Sequence, residues 1–246
     1  MSSRAGSGPG SRPVPTGPVP PGPVRGELAA LVERGVSWAA YHARIPASSP
    51  PGRPAAVLVL FGVLDSLPAH HRGGAVPTDL DVLLVGRAST LTHHSGQVAF
   101  PGGRVDPGDA GPVAAAIREA VEETGLDSDG VEVLGTLGEL PVPVSDHLVT
   151  PVLAWWATPS PVDVVDVGES AAVFRAPVAD LLDPDLRRTA TLRRGGRVYR
   201  TPAFLVGPHV VWGFTAIVMN ELFDGLGWTE PWDVARTIDV AGSGPR

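Results

Sequence analysis

The chain has 246 residues, of which 43% are hydrophobic and 18% charged, enough for one globular domain with a sizeable core. Its net charge of −7 and its lack of a long basic run argue against a nucleic-acid polymer as partner. It contains no cysteine and no lysine, which excludes disulfides, thiolate catalysis, zinc–thiolate sites and Schiff-base chemistry.

The two ends of the sequence differ from its middle. Residues 1–25 are about half proline and glycine and predict a disordered tail. They contain no apolar stretch of the kind found in a signal peptide. The longest apolar run, 55–64, is far shorter than the roughly 20 residues that span a bilayer. We therefore expect a cytoplasmic protein with no membrane partner.

The predicted elements alternate irregularly between strands and helices. An N-terminal helical segment and linker cover 26–54, with a helix or two over 27–41 and a proline-rich link at 48–54. Strands are predicted at 55–63, 80–85, 97–100 (ended by Pro101-Gly102-Gly103), 132–140, 149–157 and 171–175. Helices are predicted at 112–124, with Pro112 in the first turn and Gly125 as its stop, and at 213–226. The pattern indicates an α/β domain over 55–236, a mixed sheet packed between helices, followed by a loose C-terminal tail at 237–246.

The most informative segment is an acidic helix that follows a glycine-rich loop. Gly102-Gly103-Arg104-Val105-Asp106-Pro107-Gly108-Asp109 precedes Arg118-Glu119-Ala120-Val121-Glu122-Glu123-Thr124-Gly125-Leu126. Glu119, Glu122 and Glu123 share one helix face, where like charges repel one another. A solvated acidic face could tolerate this repulsion, whereas bound Mg²⁺ or Mn²⁺ would turn it into attraction.

The ordered string resembles the Nudix box. The stretch from Arg118 to Leu126 fits at every specified position, with Ala120 a small residue in an apolar slot. The front half departs twice, because Asp109 stands where Glu is usual and eight residues separate it from Arg118 where seven are expected. These departures leave the loop geometry open but do not touch the carboxylates.

The resemblance implies a Nudix-type α/β/α sandwich with a mixed β-sheet and a bound Mg²⁺ or Mn²⁺. Glu119 and Glu123 would be principal metal ligands, and Glu122 would contribute directly or through water. The carbonyl of Gly102 or Gly103 would add a ligand. Arg118 would hold a glutamate in place by a charge-assisted hydrogen bond. The catalytic set expected from the resemblance includes Arg118, Glu122, Glu123 and Glu169.

A second motif lies upstream of the box. Leu83-Leu84-Val85-Gly86-Arg87-Ala88, followed by His93-His94-Ser95-Gly96-Gln97-Val98-Ala99-Phe100-Pro101-Gly102-Gly103, is similar to the signature of the coenzyme A pyrophosphatase branch of the Nudix family. That branch typically carries the extra residue inside the box. Segments 143–151 and 211–216 also resemble it, so the resemblance covers roughly 55–225. Val85 replaces the usual Thr and Thr92 the usual Arg.

Several residues near this motif have two interpretations. Arg87 is the candidate for contacting substrate phosphates, or a surface arginine at a strand end. His93 and His94 donate to phosphate or cap the loop. Phe100 is predicted to be core and not a base-stacking platform. The group that orients or deprotonates water is Glu169 by resemblance, or second Glu139, although either could be an ordinary surface carboxylate.

The resemblance implies hydrolysis of coenzyme A or a derivative at its internal pyrophosphate, giving 4′-phosphopantetheine and adenosine 3′,5′-bisphosphate. One alternative is a Nudix hydrolase for ADP-ribose, NADH or nucleoside triphosphates, which Thr92 keeps open. Another is a non-catalytic nucleotide-sensing module, although the three glutamates are intact and no basic patch or DNA-binding signal is present. The expected partner is a small nucleotide, and a homodimer is left open.

Overall fold

The computed structural model describes residues 21–43, 45, 52–63, 69–87, 97–165, 170–194 and 196–240. Five α-helices and one short 3-10 helix, Ser128–Gly130, lie in these ranges; the α-helices are α1 Pro21–Arg34, α2 Ala39–His42, α3 Pro112–Thr124, α4 Val178–Leu182 and α5 Gly213–Leu226. None of them is long and apolar enough to cross a membrane. The bounds of α3 and α5 match the predicted helices.

The larger sheet has eight strands: β1 Arg53–Val63, β2 Leu80–Arg87, β3 Val98–Ala99, β4 Gly102–Arg104, β5 Val131–Thr136, β6 Leu140–Val142, β7 His147–Trp156 and β8 Ser170–Pro177. The strand order is β3-β2-β1-β7-β5, with β4 on β1, β6 on β7 and β8 on β2. Strands β1 and β7 run parallel at its centre, and the other pairs are antiparallel. The predicted mixed sheet is confirmed.

Helices cover both faces of this sheet. On one face α3 packs against apolar side chains of β1 and β7, among them Leu58, Leu60 and Trp156. On the other face α1, α4 and α5 share one large core with Phe61, Leu153 and the remaining inward-facing residues. The architecture is therefore the expected α/β/α sandwich. Phe100 is 2% exposed in the core shared by α1, α4 and α5, which confirms the prediction that it is a core residue.

A second sheet of four strands was not predicted. It contains β9 Arg187–Arg194, β10 Arg197–Val206, β11 His209–Val211 and β12 Thr237–Asp239, in the order β11-β10-β9-β12. The sequence of β9 is rich in arginine and threonine, so it lacks the apolar alternation that indicates a strand. Arg187 is buried in β9 at a position where an apolar residue would be expected. Its guanidinium is accommodated there because it lies over the rings of Phe204 and Trp232, 4.7 and 4.8 Å from their centroids.

Both predicted tails, 1–25 and 237–246, include residues that are part of the folded domain. Helix α1 begins at Pro21, Val24 is 3% exposed in the core, and Arg25 forms a bidentate ion pair with Glu132. At the other end β12 pairs with β9, and Val240 is buried. Apolar burial and backbone pairing therefore fix 21–25 and 237–240, whereas 1–20 and 241–246 lie outside the described residues.

Three inner boundaries also differ from the prediction. Strand β1 begins at Arg53, inside the predicted link, because its first residues pair with β7. The predicted strand 132–140 is two strands, β5 and β6, separated by a break at Gly138, whose φ is +88°. The glycine pair Gly102-Gly103 was predicted to end the strand over 97–100. In the structure β3 ends before Pro101, and the glycine pair begins a separate strand, β4.

Candidate active site

Helix α3 sits close to the sheet because its inward side chains are small. Ala115, Ala116 and Ala120 are fully buried against β1 and β7. The helix ends at Gly125, which adopts the left-handed conformation (φ +68°) and donates its N–H to the Val121 carbonyl. The last two turns, which carry the three glutamates, are thereby held beside β4.

Two of those glutamates lie directly against β4. The Gly102 N–H donates to Oε2 of Glu123 at 3.0 Å, and Glu123 is 9% exposed. A Cβ on Gly103 would lie 2.4 Å from Cδ and Oε1 of Glu119. Only glycine leaves room for the Glu119 carboxylate at this place. The Gly102-Gly103 pair thus positions both carboxylates.

Arg118 ties the loop before α3 to the helix. Its Nε and Nη2 donate to the two carboxylate oxygens of Asp109, both at 3.0 Å, and Nη2 also donates to the Arg104 carbonyl. Its Nη1 donates to Oε1 of Glu119 at 3.1 Å and to Oε2 of Glu122 at 3.0 Å. Asp109, the residue that departs from the Nudix pattern, is therefore the bidentate partner of Arg118 in this structure.

Glu122 differs from the other two glutamates. Its side chain is 57% exposed and accepts a hydrogen bond from Arg118, four residues earlier on the helix. Glu119, by contrast, is 20% exposed at its side chain and contacts the strand. The three residues that share a helix face are thus unequal, with two facing β4 and one facing solvent.

The electrostatics follow from these contacts. Burial raises the pKa of Glu119, against the opposing effect of Arg118. The hydrogen bonds from Arg118 lower the pKa of Asp109, and those same bonds raise the pKa of Arg118 itself. Within the described ranges no three carboxylate or histidine side chains converge as a complete metal-binding set.

Strand β4 also borders a cavity of about 410 Å³. Gly102, Gly103 and Arg104 line it, so the glycine pair borders both the glutamates and the cavity. Its other walls come from β1, from the end of β2, from β3, from the β6–β7 hairpin, from β9 and from the start of α5. Their apolar side chains include Val142, Val144, Val149, Leu192, Trp212 and Phe214.

Arg87 lines the same cavity at the end of β2. Its backbone N–H donates to the Gln97 carbonyl at 2.9 Å, which closes β2 against the segment that leads to β3. Its Nε is buried and has no hydrogen-bond partner among the described residues. A guanidinium in this position has donor capacity left for a bound anion.

The other predicted site residues are not gathered there. Glu139 is exposed between β5 and β6 and does not line the cavity. Thr92, His93, His94 and Glu169 lie outside the described residues. The sequence did not single out Val144 or Leu192 as cavity residues, because an apolar side chain in a wall has no chemical signature. Val144, Trp212 and Phe214 stood only in segments that resemble the family.

This geometry agrees with the comparison of the sequence with known proteins. A NUDIX domain profile matches residues 70–191, and the chain belongs to the Nudix family of pyrophosphohydrolases. It is similar to "Uncharacterized Nudix hydrolase NudL" of Cronobacter sakazakii, with 39% identity over 59% of this chain and 75% of that protein. The protein of that name from Escherichia coli K12 is 38% identical over 64% of this chain and 84% of that protein.

Solved structures include a MutT/nudix family protein from Enterococcus faecalis. The two sequences are 19% identical, and the superposed part covers 81% of this chain and 73% of that protein, with a TM-score of 0.44.

Proposed function

We propose that this protein hydrolyses coenzyme A or its derivatives at the internal pyrophosphate in a divalent-metal-dependent reaction. One observation carries the proposal: two carboxylates, Glu119 and Glu123, lie against the glycine pair of β4, which itself borders a mainly apolar cavity. The chemistry and the room for a substrate are therefore adjacent.

The donor set suits Mg²⁺ or Mn²⁺, which prefer oxygen ligands. Carboxylates of Glu119 and Glu123 would hold the ion, with the carbonyl of Gly102 or Gly103, and Glu122 would contribute directly or through water. The fit rests on Gly103, whose missing Cβ gives the Glu119 carboxylate its place. An ion held there would supply Lewis acidity toward the phosphoryl oxygen, the leaving group and the attacking water.

The chain's own residues would then orient the reactants. Arg118 fixes Glu119 and the loop through Asp109, and Arg87 binds a phosphate of the substrate. Water attacks one phosphorus, the bridging P–O bond breaks, and a carboxylate accepts the proton from the water. Glu169 is our candidate for that base, because its neighbour Ser170 pairs with Arg87 in the β2–β8 register.

The walls of the cavity favour coenzyme A over its competitors. The pantetheine arm is longer and less polar than the second ribose of ADP-ribose or the nicotinamide riboside of NADH. Val142 and Val144 on one side and Trp212 and Phe214 on the other offer apolar surface to such an arm. We therefore expect coenzyme A to be cleaved at least tenfold more efficiently than ADP-ribose.

A substrate screen tests the proposal. The protein is incubated with coenzyme A, an acyl derivative, ADP-ribose and NADH, each with Mg²⁺, with Mn²⁺ or with excess EDTA, and the products are separated by chromatography. We expect 4′-phosphopantetheine and adenosine 3′,5′-bisphosphate in the metal-containing reactions with coenzyme A. Full activity in EDTA would overturn the metal assignment, and faster cleavage of ADP-ribose or NADH would overturn the substrate assignment.

The variant Arg87→Ala tests the phosphate contact. A charge-assisted hydrogen bond contributes roughly 1.5–3 kcal/mol, so kcat/KM for coenzyme A should fall about tenfold or more. Arg72→Ala, at an exposed arginine outside the cavity lining, is the matched control and should leave it unchanged. Equal effects of the two variants would show that Arg87 makes no specific contact.

A further inference from the structure

The hairpin formed by β9 and β10 has an unusual composition for so acidic a protein. Four arginines lie within eight residues at its tip, in the segment 193–200, although the net charge of the chain is −7. The same segment contains Tyr199, which is 48% exposed. An exposed aromatic ring among arginines is the composition that proteins use to bind nucleotides through base stacking and phosphate contacts.

The register of the hairpin separates its two faces. Tyr199 pairs with Leu192, and Arg197 pairs with Arg194, so Leu192, Arg197 and Tyr199 share one face. Val198 pairs with Arg193, which places these two residues on the opposite face. Arg197 therefore lies on the same face as Leu192, and Arg193 lies on the opposite face, so the two arginines can be compared by mutation.

The face of Leu192 is the one that reaches the cavity. Leu192 lines the cavity together with Arg87, Trp212 and Gly103. Side chains directly opposite each other in an antiparallel pair have Cβ atoms about 5 Å apart, so Tyr199 lies beside Leu192 on this face. Arg197 follows two residues toward the tip, about 7 Å further along the strand.

The arginines on the hairpin have capacity for an anion. Neither Arg193 nor Arg197 forms a salt bridge with a carboxylate of the residues that the structure describes. Arg197 is exposed and stands next to an aromatic ring on the cavity side. A planar nucleobase would fit the ring of Tyr199, and a phosphate on the ribose of the same nucleotide would fit the guanidinium of Arg197.

We propose that Tyr199 and Arg197 form a subsite for the nucleotide end of the substrate, beyond the scissile pyrophosphate. The ring of Tyr199 stacks on the base, and the guanidinium of Arg197 contacts a phosphate on the ribose. The inference rests on the proposed function, and it assigns recognition of a ribose-phosphorylated nucleotide to residues outside the Nudix box.

Binding without catalysis tests this subsite separately from the activity. Adenosine 3′,5′-bisphosphate and AMP are titrated calorimetrically into the full chain in EDTA, with Arg197→Ala, Arg193→Ala, Tyr199→Ala and Tyr199→Phe as variants. We expect Arg197→Ala to weaken the bisphosphate about tenfold and AMP less than twofold. Arg193→Ala is the matched control and should change both less than twofold.

The tyrosine variants complete the test. Stacking contributes to both ligands, so Tyr199→Ala should weaken both about tenfold, whereas Tyr199→Phe should bind them like the wild type. Equal losses in Arg197→Ala and Arg193→Ala, or no change in Tyr199→Ala, would overturn the subsite. If the pattern holds but coenzyme A is not hydrolysed, the proposed function fails and the subsite stands. If coenzyme A is hydrolysed without this pattern, the subsite fails.

Discussion

Replacing Gly103 with alanine puts a methyl group where the Glu119 carboxylate lies. The new Cβ would be 2.4 Å from Cδ and Oε1 of Glu119 and 2.5 Å from Oε2. Ordinary contact begins at about 3.5 Å, so the carboxylate has to retreat by about 1 Å. A displacement of that size at a catalytic group costs about 10²-fold in rate. We therefore expect kcat/KM to fall about 10²-fold.

The same substitution should hardly affect the fold. The atoms that the methyl group meets are the far end of a flexible side chain, and moving it off its rotamer costs about 1 kcal/mol. In a chain of this size that corresponds to about 2–4 °C in Tm. The expected signature is therefore a large loss of activity with a small change in melting temperature.

The assay compares steady-state kinetics, Mn²⁺ titration and thermal melting of Gly103→Ala and Gly108→Ala. Gly108 lies in the loop before α3, and a Cβ there meets nothing within 4 Å, which makes it the matched control. If Gly103→Ala keeps more than half of the wild-type activity, Glu119 is not a metal ligand. A fall in Tm of 10 °C would refute the claim that the side chain can move aside.

Three further predictions concern catalysis, pH and the N-terminus. Glu123→Gln should lower kcat about 10³-fold, roughly 4 kcal/mol of transition-state stabilisation, while Glu33→Gln, at an exposed position on α1, should leave it unchanged. Burial raises the pKa of Asp81 to about 7 from 3.8, so the folded state loses stability as pH rises across that window, and Asp81→Asn should add up to about 4 kcal/mol at pH 8. Deleting 1–20 should leave Tm unchanged, whereas deleting 1–25 should lower it by several degrees because it removes the buried Val24.

Each of these has a result that would contradict it. A Glu123→Gln enzyme with a tenth of normal activity would show that Glu123 is not a principal ligand. Urea unfolding at pH 5 and pH 8 should show a flatter pH dependence for Asp81→Asn than for the exposed control Asp129→Asn, and parallel curves would remove Asp81 from the explanation. Equal melting temperatures for the two truncations would show that the start of α1 adds nothing to stability.

Elements with a strong local signal were predictable from the sequence. Helix α3 has proline at its start, buried alanines inside and a left-handed glycine at its end, and all three signals agree. Strands β1 and β7 are continuous apolar runs because both of their faces are buried. The smaller sheet was missed because β9 lacks the apolar alternation of a typical strand, and because β12 pairs with β9 from a distant part of the sequence, although β9 and β10 are neighbours in a hairpin.

The candidate site was predictable in composition but not in detail. The spacing placed Glu119, Glu122 and Glu123 on one face, but it did not show that Glu122 is exposed while the other two contact β4. The extra residue between Asp109 and Arg118 left the loop geometry open, and the structure accommodates it with a bidentate contact. Such differences depend on tertiary packing, which no local pattern encodes.

The proposed metal ligands and most of the cavity walls come from different stretches of chain. The metal ligands lie within 102–123, whereas much of the wall lies in 142–149 and 192–215. A substitution at Val144 or Trp212 can therefore change which molecule fits without displacing a glutamate. The substrate specificity of such an enzyme can therefore change in small evolutionary steps, and every variant along the way keeps its metal-binding carboxylates in place. Laboratory selection for a new substrate would find its first useful mutations in the walls.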